Sequence, residues 1–514
     1  MLQILTPSTE QAITIQGFSG SYYWGLGAEA VLRACGLVSV CSRTIENVDN
    51  LRPEWPILVL RQTPIDDTLW SRIAEAKLIF EASINPAVAA RLGITEEKVQ
   101  TLQTVSVLTE NGRVVAECPR VQIRSVRTDK EDLLPQEPLW HCDGLRFSTL
   151  NWPSSSSVLD CDAGPLVKKR ERQMVLAASL IDLAGRWLSC PPIPDSSYAG
   201  FANRMSAFPL LRKVLELIFK FILAEVPGLP TSTLVLADSL PVGYKSSLTI
   251  RHDYDRDIKD ESCKELLNYY DRRGIKASIG FLGYRCPVSQ MRLIAARGHE
   301  IQLHAATATL NDFLRHTRQV EEAAGLRLVG FTSHGGPSGI KYAGDRHFSW
   351  AEAAGFSYAD PRGPRERRIV PILRIKDGLP YVSPLLSMPN HFSLDTGTAP
   401  EANALSQLRS AVPNSLAEGE HVVIMNHPDI HRMELFELLN ALDLSDVWCV
   451  TMAALINYRN ATAYRSLVEV QPNTVNIYLP VALNVDAGFS ILQPSGRRTT
   501  ISLTAGSLSA CIKM

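Results

Sequence analysis

Ser247-Leu-Thr-Ile-Arg-His-Asp-Tyr-Asp255 decides the expected fold, because it starts as a buried strand and ends in two acids. A helical stretch at 264–273 follows and leads through a glycine into a second strand at 275–282. A second helix at 289–297 also ends at a glycine and precedes a third strand at 299–304. This β-α-β-α-β order favours a parallel sheet or barrel, in which the loops at the carboxyl ends of the strands lie together.

The two acids at the end of the first strand indicate where chemistry is expected. Side chains alternate along a strand, so Asp253 and Asp255 share one face, and His252 and Tyr254 share the other. Two carboxylates on one face repel each other unless a cation lies between them, and a divalent metal ion would serve. The alternative is a solvated loop in which neighbouring arginines such as Arg251 pair with the acids.

Three motifs in this region resemble the polysaccharide deacetylases, the NodB-homology group of carbohydrate esterases known as family 4. They are Thr249-Ile-Arg-His-Asp-Tyr-Asp255, Gly274-Ile-Lys-Ala-Ser-Ile-Gly-Phe281 and Gly298-His-Glu-Ile-Gln-Leu-His304. Their order and spacing agree with those of the family, and the resemblance covers about residues 245–435. It implies an α/β fold, a distorted (β/α) barrel of the polysaccharide deacetylase type.

The resemblance also implies roles for the residues in these motifs. Asp253 would be the catalytic base, and Asp255 and His304 would bind one divalent metal ion. Zinc is expected, and cobalt, nickel or iron would also fit. Tyr254 separates two acids that are adjacent in the family, so the roles of the acids could be reversed. The family has a second histidine four residues after the first, but position 308 is alanine, which leaves the site one ligand short.

Later segments supply the remaining candidates. His334 lies on a glycine turn, Phe331-Thr-Ser-His-Gly-Gly336, and is expected to be the third metal ligand, with contact to the substrate as the alternative. His427 ends the strand of Glu420-His-Val-Val-Ile-Met-Asn-His-Pro428 and resembles the family histidine that protonates the leaving amine. The expected substrate contacts are Arg251, Gly335 and His391, and His391 is also held as a reserve ligand.

The expected function is therefore a metal-dependent hydrolase that removes an N-acetyl group from an amino sugar or glycan precursor and releases acetate. Two alternatives remain. Some relatives on the same scaffold resemble hydrolases of non-sugar, cyclic amides. The missing histidine at 308 could instead mark a catalytically lapsed module that binds carbohydrate or serves as a scaffold.

Composition excludes several other classes of protein. The 514 residues include 52 Lys and Arg against 53 Asp and Glu, so the chain lacks the basic excess expected of a nucleic-acid binder. No apolar run approaches the roughly 20 residues of a membrane span. The first residues do not have the pattern of a secretory signal, and the ten cysteines are dispersed without a CxxC pair. We therefore expect a cytoplasmic, multidomain protein with a sugar substrate as its partner.

Outside the deacetylase-like region, the sequence indicates structure but no chemistry. Helices are expected at 170–188 and 208–225. The second is amphipathic and could touch a membrane surface, although packing against a core is favoured. The expected segments are an N-terminal α/β domain of unknown role (1–130), a helical and linker region (131–240), the catalytic domain (241–462) and a small β-rich C-terminal domain (463–514).

Overall fold

The computed structural model describes most of the chain, in ranges that include all the expected strands of the deacetylase-like region. These ranges are 1–6, 24–102, 104–109, 112–117, 120–122, 141–143, 145–180, 183, 208–229, 231–307, 309–334, 344–360, 369–376, 379–388, 392–394, 404–419, 421–494 and 496–513.

The N-terminal part is built on a nine-stranded mixed sheet. The strand order is β2-β1-β3-β4-β13-β12-β11-β6-β7, with the first five strands parallel and the others antiparallel. The pairs β5–β10 and β8–β9 form two small antiparallel sheets. The strands are β1 (Leu2–Thr6), β2 (Val40–Thr44), β3 (Ile57–Val59), β4 (Leu78–Glu81), β5 (Thr95–Leu102), β6 (Thr104–Thr109), β7 (Gly112–Glu117), β8 (Arg120–Gln122), β9 (His141–Asp143), β10 (Leu145–Asn151), β11 (Ser156–Cys161), β12 (Gly164–Arg170) and β13 (Gln173–Leu176).

The helices of this part cover the sheet. The expected helix at 208–225 is confirmed as α4, and it buries Leu211, Val214 and Ile218 in the core of the N-terminal sheet. Within the described residues, no helix is long and apolar enough to span a bilayer. The helices are α1 (Trp24–Ala34), α2 (Asp67–Ile73), α3 (Pro86–Leu92) and α4 (Phe208–Leu223), and a 3₁₀ helix covers Ile45–Asn50.

The prediction of a helix that begins at Arg170 is wrong over the first part of that segment. Residues 164–176 form β12 and β13 instead, and β13 pairs in parallel with β4. The apolar run that starts at Met174 suits either a helix or a buried strand, and pairing with a strand about 95 residues away decides between them. These strands complete the N-terminal sheet, so part of the expected 131–240 linker is sheet.

The second part is built on a ten-stranded sheet that is parallel except for one antiparallel edge pair, β20–β21. Its order is β20-β21-β19-β18-β17-β16-β15-β23-β22, with β24 also paired to β15. This confirms the expected α/β class with a parallel sheet. Besides β14 (Leu234–Ala237), the strands of this region are β15 (Ser246–Tyr254), β16 (Ala277–Phe281), β17 (Glu300–Ala305), β18 (Gly330–Ser333), β19 (Tyr358–Asp360), β20 (Val370–Lys376), β21 (Leu379–Ser387), β22 (Phe392–Ser393), β23 (His421–Asn426) and β24 (Val447–Cys449).

Among the described residues, six helices cover one face of this sheet, and the last helix packs with the C-terminal strands in a separate core. The helices are α5 (Asp260–Arg273), α6 (Val288–Ala296), α7 (Leu310–Ala324), α8 (Gly344–Ala353), α9 (Ala404–Ala417), α10 (Arg432–Asn440) and α11 (Met452–Arg459), which continues into a π-helical turn at Asn460–Tyr464. The last strands are β25 (Leu467–Gln471), β26 (Thr474–Tyr478), β27 (Ala487–Leu492), β28 (Arg498–Leu503) and β29 (Ser509–Lys513). They form two antiparallel sheets, β25-β26-β29 and β14-β27-β28.

Candidate metal centre

The candidate residues lie at the carboxyl ends of strands that are close together in the sheet. Asp255 directly follows β15, and His304 is the penultimate residue of β17. His334 directly follows β18, and His427 directly follows β23. Because these strands run parallel, their carboxyl ends bring residues that are up to 172 positions apart in the sequence to one edge of the sheet.

Three imidazoles meet the carboxylate of Asp255. Its Oδ1 lies 3.1 Å from Nε2 of His304, and its Oδ2 lies 3.2 Å from Nε2 of His334 and 3.1 Å from Nε2 of His427. Partial burial raises the pKa of Asp255, but the three histidines outweigh it and hold this pKa far below its usual range. Asp255 is therefore a carboxylate at neutral pH.

Three of these residues fit a divalent metal ion. One donor atom each from Asp255, His304 and His334 lies within 4.8 Å of the others, and His427 is not part of that compact group. Oδ1 of Asp255 and Nδ1 of His334 are buried without a well-formed hydrogen bond among the described residues. Two imidazoles and one carboxylate are a ligand set that zinc accepts while a further position stays open.

The environment of His304 suits an imidazole that binds a metal ion. Its Nδ1 lies 2.9 Å from Oγ1 of Thr332, which fixes the ring and turns Nε2 towards Asp255. Burial lowers the pKa of His304 and so favours the neutral imidazole, the form that binds metals. Thr332 was not among the expected site residues, although it lies in β18 two residues before His334, and alternation could have revealed it.

Asp253 and Arg251 form a buried ion pair beside this group. The guanidinium of Arg251 donates two hydrogen bonds to the carboxylate of Asp253, at 2.9 and 2.7 Å. Burial raises the pKa of Asp253, but the charges of Arg251 and then His304 outweigh burial and lower this pKa below its usual value. The carboxyl is therefore ionised. Oδ1 of Asp253 lies 3.7 Å from Nδ1 of His304. Arg251, expected as a substrate contact, thus faces Asp253 with only 4% of its side chain exposed.

The expected alternation along β15 is confirmed, and its other face carries a second network that was not expected from the sequence. On the face opposite the acids, Nδ1 of His252 pairs with Oδ1 of Asn426, and Nε2 lies 2.5 Å from the hydroxyl of Tyr270. Nδ2 of Asn426 donates to the carbonyl of His431 at 3.2 Å, which closes the turn that begins with His427. Burial lowers the pKa of His252 to about 4.

Two expected substrate contacts, Gly335 and His391, lie outside the described residues, as does position 308. His316 is buried on α7 against the loop that follows β16. One further contact at the site was not foreseen: Arg285 donates a hydrogen bond from Nη1 to the backbone carbonyl of Asp255, at 2.8 Å.

No protein-family model matches the chain, and no curated protein matches it either. Solved structures do match. They include a CE4 family pseudoenzyme from Bacillus anthracis, at 12% identity over 41% of this chain and 66% of that chain, with a TM-score of 0.26. A family 4 acetyl xylan esterase from Clostridium thermocellum in complex with a cobalt ion is 14% identical over 41% and 90% of the chains, with a TM-score of 0.26. The Bc1960 peptidoglycan N-acetylglucosamine deacetylase is 13% identical over 41% and 89%, also with a TM-score of 0.26.

About two fifths of the chain resembles carbohydrate esterase family 4. At identities of 12–14% and TM-scores of 0.26, the neighbours do not decide the chemistry.

Proposed function

We propose that this chain is a metal-dependent hydrolase that removes the N-acetyl group from an amino sugar or a glycan precursor. The observation that carries the proposal is the convergence of His304, His334 and His427 on the carboxylate of Asp255. A buried, charged Asp253 lies beside them, which provides a candidate base next to the candidate ligands.

Asp255, His304 and His334 would hold the metal ion, with zinc expected and cobalt, nickel or iron also compatible with the ligand set. When bound, such an ion polarises an acetyl carbonyl and lowers the pKa of a water molecule. Asp255 would serve as a ligand and not as the base, because its carboxylate is the one that the three imidazoles surround.

Asp253 would accept a proton from the attacking water, and Arg251 would keep its carboxylate ionised and oriented. The water oxygen bonds to the acetyl carbon, and the bond between that carbon and the sugar nitrogen then breaks. His427 would donate a proton to the departing nitrogen, which leaves as the amine while acetate is released. Imidazole suits this step because its ordinary pKa, about 6.5, lies near neutrality.

The first test separates chemistry from metal binding. We expect Asp253→Asn to abolish acetate release from N-acetylglucosamine oligomers while the metal content stays unchanged, since the amide cannot accept the proton. Acetate is measured with a coupled enzyme assay on protein loaded with zinc or cobalt, and metal by elemental analysis. Asp257→Asn is a matched control, because Asp257 lies in the same segment but is exposed.

Wild-type protein that holds metal but releases no acetate from any N-acetyl sugar would contradict the proposal. Turnover of cyclic amides by that protein would then favour the non-sugar hydrolase. Binding of sugars without turnover of either class would favour a lapsed module that retains carbohydrate binding.

A further inference from the structure

The loop after β16 carries an exposed aromatic and an exposed cationic side chain, and it contacts the candidate metal centre. Tyr284 and Arg285 lie three and four residues beyond the carboxyl end of β16, the strand between those that carry Asp255 and His304. The hydrogen bond from Arg285 to the backbone carbonyl of Asp255 places this loop in direct contact with the centre.

Tyr284 is unusually exposed for an aromatic side chain. Its relative exposure is 59%, higher than that of Tyr244 (39%) and Tyr478 (40%), the other well-exposed aromatic residues in the described part of the chain. An exposed ring leaves apolar area in water, and packing the apolar face of a sugar ring against it would bury that area. The ordinary alternative is an isolated surface tyrosine with no ligand.

Arg285 supplies a positive charge beside that ring. Its guanidinium carbon lies 6.0 Å from the centroid of the Tyr284 ring, and the side chain is exposed. Among the described residues, Arg285 donates its one side-chain hydrogen bond to Asp255 and forms no ion pair, so further N–H groups remain for a ligand. A guanidinium fork binds carboxylates and phosphates in preference to neutral groups.

The loop is held in place rather than loosely tethered. A Cβ on Gly283 would lie 2.1 Å from the Cβ of His316, so only glycine allows this approach to α7. The backbone N–H of Arg285 donates to the carbonyl of Leu282 at 2.8 Å, and the ring of Tyr284 meets that of His316 edge-on at 5.9 Å. A loop fixed in this way can present two side chains at low entropic cost to a ligand.

We propose that Tyr284 and Arg285 form a substrate subsite, in which a sugar ring stacks on Tyr284 and an acidic group of the same substrate pairs with Arg285. The ligand class is an N-acetylated sugar that carries a carboxylate or a phosphate. This inference rests on the proposed function, because it extends the substrate of the same site.

Binding and turnover are measured separately so that the two proposals can fail independently. Calorimetric titrations use the zinc-loaded full chain carrying Asp253→Asn, with three probes: di-N-acetylchitobiose (neutral), the disaccharide of glucuronic acid and N-acetylglucosamine (carboxylate), and N-acetylglucosamine 1-phosphate (phosphate). We expect at least one acidic probe to bind at least tenfold more tightly than the neutral one, and whichever does so identifies the acidic group. Arg285→Gln should remove that preference. Tyr284→Ala should weaken all three probes at least fivefold, while Tyr284→Phe and the distant control Tyr478→Ala should not.

Several results would overturn the subsite. They are equal affinity for neutral and acidic probes, no binding of any probe, an unchanged preference in Arg285→Gln, or loss of metal from Arg285→Gln, which would show that Arg285 serves Asp255 alone. Acetate release by the wild type in any of these cases would leave the proposed function standing. Selective binding that Arg285→Gln removes and Tyr284→Ala weakens, without acetate release by the wild type, would support the subsite and contradict the deacetylase.

Discussion

At the scale of single residues, Asp253 and Asp255 lie at the end of the same strand but have different surroundings. Asp253 is buried against Arg251, whereas Asp255 is surrounded by imidazoles and more open. We expect Asp255→Asn to lose the metal ion, because the amide oxygen of asparagine lacks the negative charge of the Asp255 carboxylate. Elemental analysis of both asparagine variants tests this. Metal retained in Asp255→Asn and lost from Asp253→Asn would show that the roles of the acids are reversed.

Asn426 is a second residue whose effect can be isolated, because it joins the buried His252 to the turn that carries His427. Asn426→Ala leaves Nδ1 of His252 without this partner, and we expect a loss of about 1–3 kcal/mol in the free energy of unfolding. We also expect a lower kcat with unchanged metal content, since the turn is no longer held.

Urea unfolding and acetate release measure these two effects. Asn268→Ala is the matched control, because Asn268 is exposed and its side chain contacts Arg297, away from the site. A normal kcat in Asn426→Ala would show that the network does not position His427.

Much of the site could be predicted at this scale, and the reasons are local. Strand alternation placed Asp253 and Asp255 on one face, and a glycine turn after a strand suggested His334. The partners of these residues could not be predicted in the same way. The pairing of Arg251 with Asp253 depends on side-chain directions within the folded sheet. The contact of Thr332 with His304 depends on the pairing of two strands.

At the scale of elements, the first strands of the deacetylase-like region were predictable because a helical stretch that ends at a glycine follows each of the first two strands. Gly274 and Gly298 do follow α5 and α6, and both have the positive φ that glycine adopts readily. The segment 164–176 was misread because its apolar residues fit both a helix and a strand, and no local signal reveals a partner such as β4.

His299 links two of these strands and makes their stability depend on pH. Its Nδ1 accepts a hydrogen bond from the backbone N–H of Ala277 at 3.0 Å, which requires the unprotonated nitrogen. Burial, followed by the charge of Lys276, lowers the pKa of His299 to about 4 from an ordinary value of 6.5. Between these two values the unfolded chain binds more protons, so the stabilising contribution is complete above pH 6.5 and is lost as the pH falls to about 4.

This contribution amounts to at most about 3 kcal/mol. We expect His299→Gln, which cannot titrate, to lose stability less steeply than the wild type between pH 6.5 and 4. Chemical denaturation at several pH values measures the two slopes. Equal slopes would mean that His299 does not contribute to the acid sensitivity of the fold.

At the scale of the whole molecule, the N-terminal sheet and the deacetylase-like region are joined by contacts that the sequence did not reveal. Val38 donates from its backbone N–H to the carbonyl of Val235 at 3.0 Å, and Nη2 of Arg459 donates to the carbonyl of Ala34 at 3.3 Å. β14 pairs with β27, so it belongs to the C-terminal sheets although it precedes residue 241. This pairing joins segments about 255 residues apart, and local sequence patterns do not predict it.

A domain boundary at residue 241 would therefore remove a strand from the second part. We expect a fragment of residues 231–514 to be more stable than one of residues 241–514 by about 2–4 kcal/mol, because Val235 and Ala237 are buried in the core that the C-terminal strands share. Urea unfolding of the two fragments tests this difference. Equal stabilities would show that β14 adds nothing to the second part.

The most direct test of the metal centre is the metal content of the purified full-length protein, with His304→Ala and the control His421→Ala beside it. His421 lies at the opposite end of β23 from the centre. We predict about one divalent ion per chain in the wild type and in the control, and none in His304→Ala. A wild type without metal after incubation with zinc and cobalt, or equal metal in His304→Ala, would contradict the metal centre.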